Sequence, residues 1–205
     1  MDKDRMDFQE QQRLFNVRKT VLEMLKDRGY KLPVTLETTF EEFRALCDAK
    51  NHEFFIHDPE TDKKVFVSFH NAKSFGKNEL KNLWSRVIQK YEDESIHIIL
   101  LLKEKENSMV AKELMKPIYQ NVEIFLQENM VFNITQHVLV PKHILLNTEE
   151  ENEVLSKYNT TKAKLPKILK TDPVARYYGM KTDQICKIIR KSSVSGETIY
   201  YRVVK

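Results

Sequence analysis

The sequence predicts a mixed α+β protein of two parts: an α/β domain with a mixed sheet over residues 1–131, and a small α+β domain over residues 132–205. Helical and strand-like apolar patterns alternate through the first part. The pattern restarts at "NMVFNITQH". The charge also changes sign there. Residues 1–131 carry 21 Lys/Arg against 23 Asp/Glu, whereas residues 132–205 carry 13 against 7. Such a split fits two domains with different partners, the basic one facing nucleic acid or an acidic protein surface. An apolar fraction of 41% is enough for a core.

In the first part, Leu14, Val17, Val21, Leu22 and Leu25 recur at helical spacing, and "KDRGY" ends that helix with Gly29 as a left-handed cap. Thr39 and Glu42 have capping-box spacing before Phe43, Leu46 and Cys47. "EFFIHDPETDKKVFVSF" predicts two strands joined around Asp58–Pro59. Leu80, Leu83, Trp84, Val87, Ile88 and Tyr91 form one apolar stripe of a third helix, with Asn78 as its expected cap. "SIHIILLL" predicts a buried strand, "SMVAKELM" a short helix stopped by Pro117, and "VEIFLQ" a further strand.

In the second part, "HVLVPKHILL" is expected to be extended and interrupted by Pro141. "TEEENEVLSKY" predicts a helix capped by Thr148 with Glu151 as capping-box partner. "TDPVARYYGM" predicts a helix of one to two turns: Thr171 or Asp172 caps it, Pro173 opens it and Gly179 closes it. Val174 and Tyr177 are expected on its inner side, Arg176 and Tyr178 on its outer side. "QICKIIRKSSVSGETIYYRVV" predicts a β-hairpin turning at Ser195–Gly196.

The chemistry-bearing residues exclude more than they suggest. Cys47 and Cys186 are far apart, which fits a reducing compartment without disulfides. His52, His57, His70, His97, His137 and His143 are scattered without ligand spacing, so no metal is expected. No phosphate-binding glycine loop is present, and no cofactor is implied. No apolar run reaches the ~20 residues of a membrane span, and the polar N-terminus is not a secretory signal. Asp58, Glu60, Asp62, Lys63 and Lys64 could hold Mg²⁺ and a water as in a nuclease. The same residues equally suit a solvated turn, and the turn is favoured because all the acids sit in one short loop. A free-standing nucleic-acid-binding protein is the other alternative, because "KLPKILK" and "KIIRKS" are basic.

In the order "HVLVPKHILL", "LPKIL", "DPVARYYGM", "KIIRKS" and "YYRVV", the second part resembles the small common subunit of multisubunit RNA polymerases, shared by eukaryotic polymerases I, II and III. That stretch is also similar to the shorter archaeal counterpart of this subunit. "VLEMLKDRGY" resembles the N-terminal helix end of the eukaryotic-type extra domain. The resemblance implies a non-catalytic role. Residues 132–205 would dock on the largest polymerase subunit, beside other small subunits, to assemble the enzyme. Residues 1–131 would form part of the lower jaw, with a nuclease-like but inactive fold, near downstream duplex DNA and open to transcription regulators. The carried-over docking or fold residues are Pro141, His143, Pro166, Asp172, Pro173, Arg176, Tyr177, Tyr178, Gly179, Arg190, Tyr201 and Arg202. Lys103, Lys105, Ser108 and Lys112 would lie near DNA, in weak and non-specific contact. Gln136, Val138 and Asp183 depart from the family pattern. These departures suggest a version encoded by a large DNA virus, acting in host cytoplasm and virion; a cellular version would act in the nucleus.

Overall fold

The computed structural model describes residues 7–46, 52–72, 74–192 and 196–205. The chain divides into two units, Met1–Phe132 and Asn133–Lys205. Each is built around its own four-stranded sheet.

In the first unit, β1 (Glu53–Asp58) and β2 (Lys63–His70) form an antiparallel hairpin. β3 (His97–Leu102) pairs parallel to β2, and β4 (Val122–Leu126) parallel to β3. The sheet is therefore mixed, in the order β1–β2–β3–β4. Parallel neighbours need crossovers. These are α3 (Lys77–Tyr91) and α4 (Ser108–Leu114), whose Leu80, Leu83, Val87 and Val110 pack over Phe66, Ile98, Leu100 and Ile124. α1 (Phe8–Asp27) lies on the opposite face: its Arg18 guanidinium sits 5.0 Å from the Phe54 ring centroid, and that of Arg28 6.0 Å from Phe125. Leu14, Val17, Val21 and Leu25 of α1 are fully buried, as their spacing predicts.

The ends of these helices follow from local chemistry. Gly29 takes φ +83°, which lets its N–H reach Lys26 O (2.9 Å) and the Tyr30 N–H reach Leu25 O (3.0 Å), closing α1. α2 (Phe40–Leu46) has the expected reciprocal cap, with Thr39 N–H donating to Glu42 (2.7 Å) and Glu42 N–H to Thr39 Oγ1 (3.4 Å). Cys47 lies outside the described residues. α3 is capped by Gly76 and not by Asn78. Gly76 has no side chain to cap with, but Glu79 reaches back to its N–H.

The second unit holds β5 (Lys142–Leu145), β6 (Lys167–Ile168), β7 (Ile185–Ser192) and β8 (Gly196–Val204), in the order β5–β7–β8–β6. β7 and β8 form the predicted hairpin, with Ser192 opposite Gly196; Ser195 lies outside the described residues. Only Lys142–Leu145 of "HVLVPKHILL" is strand, because His137–Val140 closes a turn through Val140 N–H to His137 O (2.9 Å). α5 (Thr148–Lys157) is capped by Asn147 with Glu150, one residue before the expected pair. Glu151 is instead buried and accepts from Ile185 N–H (2.7 Å) and Lys162. Leu146, Val154 and Ile185 form the core on one sheet face. Ile168, Cys186, Ile188 and Val204 join Ala175 and Met180 on the other. Asp183 sits at φ +68°, the left-handed conformation that Asp tolerates better than most residues. Among the described residues, no helix is long and apolar enough to cross a membrane.

Candidate functional site

The most built surface feature of the second unit starts from α6 (Pro173–Tyr177). Asp172 caps it, accepting from Val174 N–H (2.9 Å) and Ala175 N–H (3.4 Å), and Pro173 occupies the first position, where its missing N–H costs nothing. Gly179, at φ +61°, lets its own N–H reach Arg176 O (3.0 Å) and the Met180 N–H reach Ala175 O (2.9 Å). The helix is thus fixed at both ends.

Its inner side differs from the expected one. Ala175 and Tyr177 are buried, while Val174 is half-buried and lines a groove. Tyr178 packs against the Ala175–Met180 core and does not point away from it. Arg176 is half-buried. The reason is the length of the helix: five residues are too few for a full apolar stripe, so the sheet beneath decides which side chains are covered. The Tyr177 hydroxyl accepts from Asn133 Nδ2 (2.8 Å), tying α6 to the start of the unit.

Beside α6 lies an open groove of about 430 Å³. It is lined by Leu139, Val140 and Pro141 before β5, His143 on β5, Ile168 on β6, Asp172 and Val174 at α6, Ile188 and Arg190 on β7, and Tyr200 and Arg202 on β8. Strand alternation explains the grouping. Cys186, Ile188 and Arg190 share a face of β7 with Tyr200 and Arg202 of β8, opposite which Ile188 pairs Tyr200. His143 is buried, and its Nδ1 lies 2.7 Å from Pro141 O. A carbonyl only accepts, so the His143 Nδ1–H donates. Arg202 Nη1 makes a long contact with Lys167 O (3.4 Å). Below the groove, burial pushes the Cys186 thiol up to about 11, so it is chemically inert.

The groove brings together Pro141, His143, Asp172, Arg190 and Arg202 of the sequence-predicted set. It does not include the others. Tyr201 is on the opposite face, 5.7 Å from the Tyr158 ring. Pro166 is exposed and contributes its carbonyl to Val203 N–H (2.9 Å). Pro173, Tyr177 and Gly179 shape α6. Sequence reasoning missed Leu139, Val140, Ile168, Ile188 and Tyr200 as groove residues. The two-residue alternation of β7 and β8 was the available signal for the last two.

In the first unit, the loop between β3 and α4 carries the other predicted residues. Lys103 is ion-paired to Glu10 (2.9 Å), whose carboxyl Arg13 and Lys103 hold at about 2. Lys105, Ser108 and Lys112 are exposed, and Asn107, not Ser108, caps α4 by accepting from Val110 N–H (2.9 Å). The carboxylates of the nuclease alternative are engaged in structure. Asp58 is buried and accepts from Glu60 N–H (3.1 Å) and Thr61 Oγ1 (2.7 Å), which lowers its pKa; Glu60 pairs with Lys31. Asp62 pairs with His57 (3.0 Å), and Lys64 with Asp93 (2.6 Å). A hydrogen-bonded hairpin turn accounts for all of them, with Asp58 buried in it rather than solvated. Among the described residues, no group of three His, Cys, Asp or Glu is placed to hold a metal.

Comparison with known families matches residues 8–87 to the profile described as RNA polymerase Rpb5, N-terminal domain, and residues 132–204 to RNA polymerase Rpb5, C-terminal domain. The "DNA-directed RNA polymerases I, II, and III subunit RPABC1" of Caenorhabditis briggsae is 34% identical, covering 94% of this chain and 95% of that protein. Its namesake in Dictyostelium discoideum is 32% identical over 93% of this chain and 96% of its own length. The "DNA-directed RNA polymerase subunit 5-like protein 1" of Arabidopsis thaliana is also 32% identical, over 93% and 94%. These relatives are from cellular eukaryotes and lend no support to a viral source.

Proposed function

The chain belongs to the RNA polymerase Rpb5 family and is a non-catalytic subunit of a DNA-directed RNA polymerase; we propose that its second unit docks on the largest polymerase subunit through the groove beside α6. One observation carries this reading. The groove gathers Pro141, His143, Asp172, Arg190 and Arg202 from four separate stretches of chain onto one surface, walled by apolar Leu139, Val140, Val174 and Tyr200. Apolar walls with arginines at the rim are the composition of a protein interface. Neighbouring small subunits would complete the contact.

The first unit, residues 1–131, would form part of the lower jaw near downstream duplex DNA. Its helix–sheet–helix layering supports comparison with a nuclease-like fold, used without catalysis. The exposed Lys105 and Lys112 would meet phosphates. With Glu104 and Glu106 interleaved and Lys103 paired to Glu10, the contact is weak and non-specific. Two phosphate contacts imply a log–log salt slope of about −2. Exposed Met109, Met115 and Ile118 offer transcription regulators an apolar foothold. The site of action would be the nucleus.

Purification of the tagged chain from its source tests the docking. The largest polymerase subunit is expected to co-purify, and Arg190→Glu with Tyr200→Ala should abolish it while the isolated chain keeps its melting behaviour. Absence of every polymerase subunit from the wild-type eluate would refute the reading. Arg190 is a better probe than Arg176, whose half-buried side chain mixes folding with docking.

A further inference from the structure

β8 is longer than the strand that covers its outer side. β7 pairs with it along its length, from Gly196 to Val203. β6 pairs with it only at Val203 and Val204. Which backbone groups face outward follows from the ladder. Val203 N–H donates to Pro166 O (2.9 Å) and Lys205 N–H to Ile168 O (2.8 Å), both on the β6 side, whereas Val204 N–H donates to Gln184 O (2.9 Å) on the β7 side. Alternation then turns the N–H and C=O of Glu197, Ile199 and Tyr201 outward. Among the described residues, β6 is the only strand on that side and pairs only at Val203 and Val204, so these six groups have no strand partner. The open edge spans five residues, about 17 Å of strand. It is neither short nor bulged, as edges that avoid pairing often are. Ile199 and Tyr200, one on each sheet face, are 46% and 49% exposed beside it.

We infer that an extended, acidic segment of a polymerase subunit adds to the outer edge of β8 as a fifth strand. The inference rests on the docking reading above and specifies its geometry. The occupant is chosen by charge. Arg202 on β8 and Lys167 on β6 flank the edge, with Lys187, Arg190 and Lys191 one strand behind on β7, against Glu197 on β8 and Asp172 at α6. A second copy of this chain would bring like charges together across the new pair, which is unfavourable. An acidic strand instead sets carboxylates beside Arg202 and Lys167, and apolar side chains beside Ile199 and Tyr200. Main-chain hydrogen bonds supply affinity, and the alternating neighbours supply selectivity.

Hydrogen exchange on the full chain, free and within the purified polymerase, tests this. In the free chain the amides of Glu197, Ile199 and Tyr201 should exchange rapidly. In the polymerase they should exchange about a hundredfold or more slower. If the chain is held in the polymerase and these three amides remain fast, the inference is overturned while docking stands. If no polymerase subunit associates, docking fails and the inference falls with it. Protection of the same amides in the free chain at high concentration would put a second copy on the edge and overturn the acidic partner. Ile199→Pro gives an independent check: it deletes an outward N–H and spares the bonds to β7, which belong to Thr198 and Tyr200. The variant should fold and lose the largest subunit from the eluate; a folded variant that retains it in full overturns the inference.

Discussion

β3 and β8 are both rich in β-branched, aromatic or leucine residues, yet they end in opposite surroundings. In β3, Ile98 to Leu102 are at most 1% exposed, with a parallel strand on each side. α3 and α4 cover one face of that sheet and α1 the other. In β8, only Val203 and Val204 are buried, and one long edge is uncovered. The composition of a strand therefore tells where extended chain forms, not whether its own fold finishes it. The first unit satisfies its central strand internally. The second unit leaves the turn-ward half of its basic, partly apolar hairpin beyond the reach of α5 and α6, which is why we propose that it meets another chain.

Substitutions can break or sharpen that contrast. The largest effect is expected at Leu101→Ala, which empties a fully enclosed site and should cost about 3–4 kcal/mol. Trp84, the single tryptophan, packs against the core of the first unit, so its fluorescence in urea reports that unit. A loss below about 1 kcal/mol would mean that β3 is less enclosed than its burial indicates. Gly179→Val forces a β-branched residue to φ +61° and should cost about 2 kcal/mol or more. It should speed hydrogen exchange in β7 and β8 and leave the Trp84 transition in place.

Glu123→Gln should cost about 2 kcal/mol at neutral pH, below the 3–5 of a fully buried pair because Glu123 is partly exposed. Burial alone would raise its pKa, but His97 (3.1 Å) and Arg28 (2.8 Å) hold it at about 2, against an ordinary 4.5. A depressed carboxylate stabilises above its unfolded value and loses that contribution as pH falls from about 4.5 towards 2. The wild-type advantage over the variant, followed by Trp84 melting, should vanish over that window. The smallest stability effect belongs to Ile199→Glu, within about 0.5 kcal/mol, because the side chain is half in solvent. The same change should remove the largest polymerase subunit from a pull-down. A large loss of stability there would show that β8 is internally finished after all.

Much of the fold was legible because the first unit's elements are long and strongly periodic: α1, α3 and β3 follow directly from the spacing of Leu14–Leu25, Leu80–Tyr91 and Ile96–Leu102. Caps slipped by one or two residues where good capping residues stand side by side, as Asn147 and Thr148 do, or where the cap is a glycine served by a distant Glu79. β6 was not legible, since two residues carry no period and their pairing depends on Val203 and Val204. The groove was only half legible. The resemblance pointed to Pro141, His143, Asp172, Arg190 and Arg202, but their convergence needs the β7–β8 register and the placement of α6. The open edge depends on how little β6 covers, which no local pattern records.

The β7–β8 hairpin also has a consequence in time. Its strands are neighbours in sequence and can zip within microseconds, on the order of 1–10 μs. β6 must return from before α6 to reach Val203 and Val204, a loop closure that comes later. Until it does, the whole outer side of β8 is open, including the two positions that β6 will claim. A partner strand arriving early could occupy them and lock the chain out of its native sheet. Subunit folding should therefore precede incorporation, and factors that delay docking should raise the yield of correctly assembled enzyme.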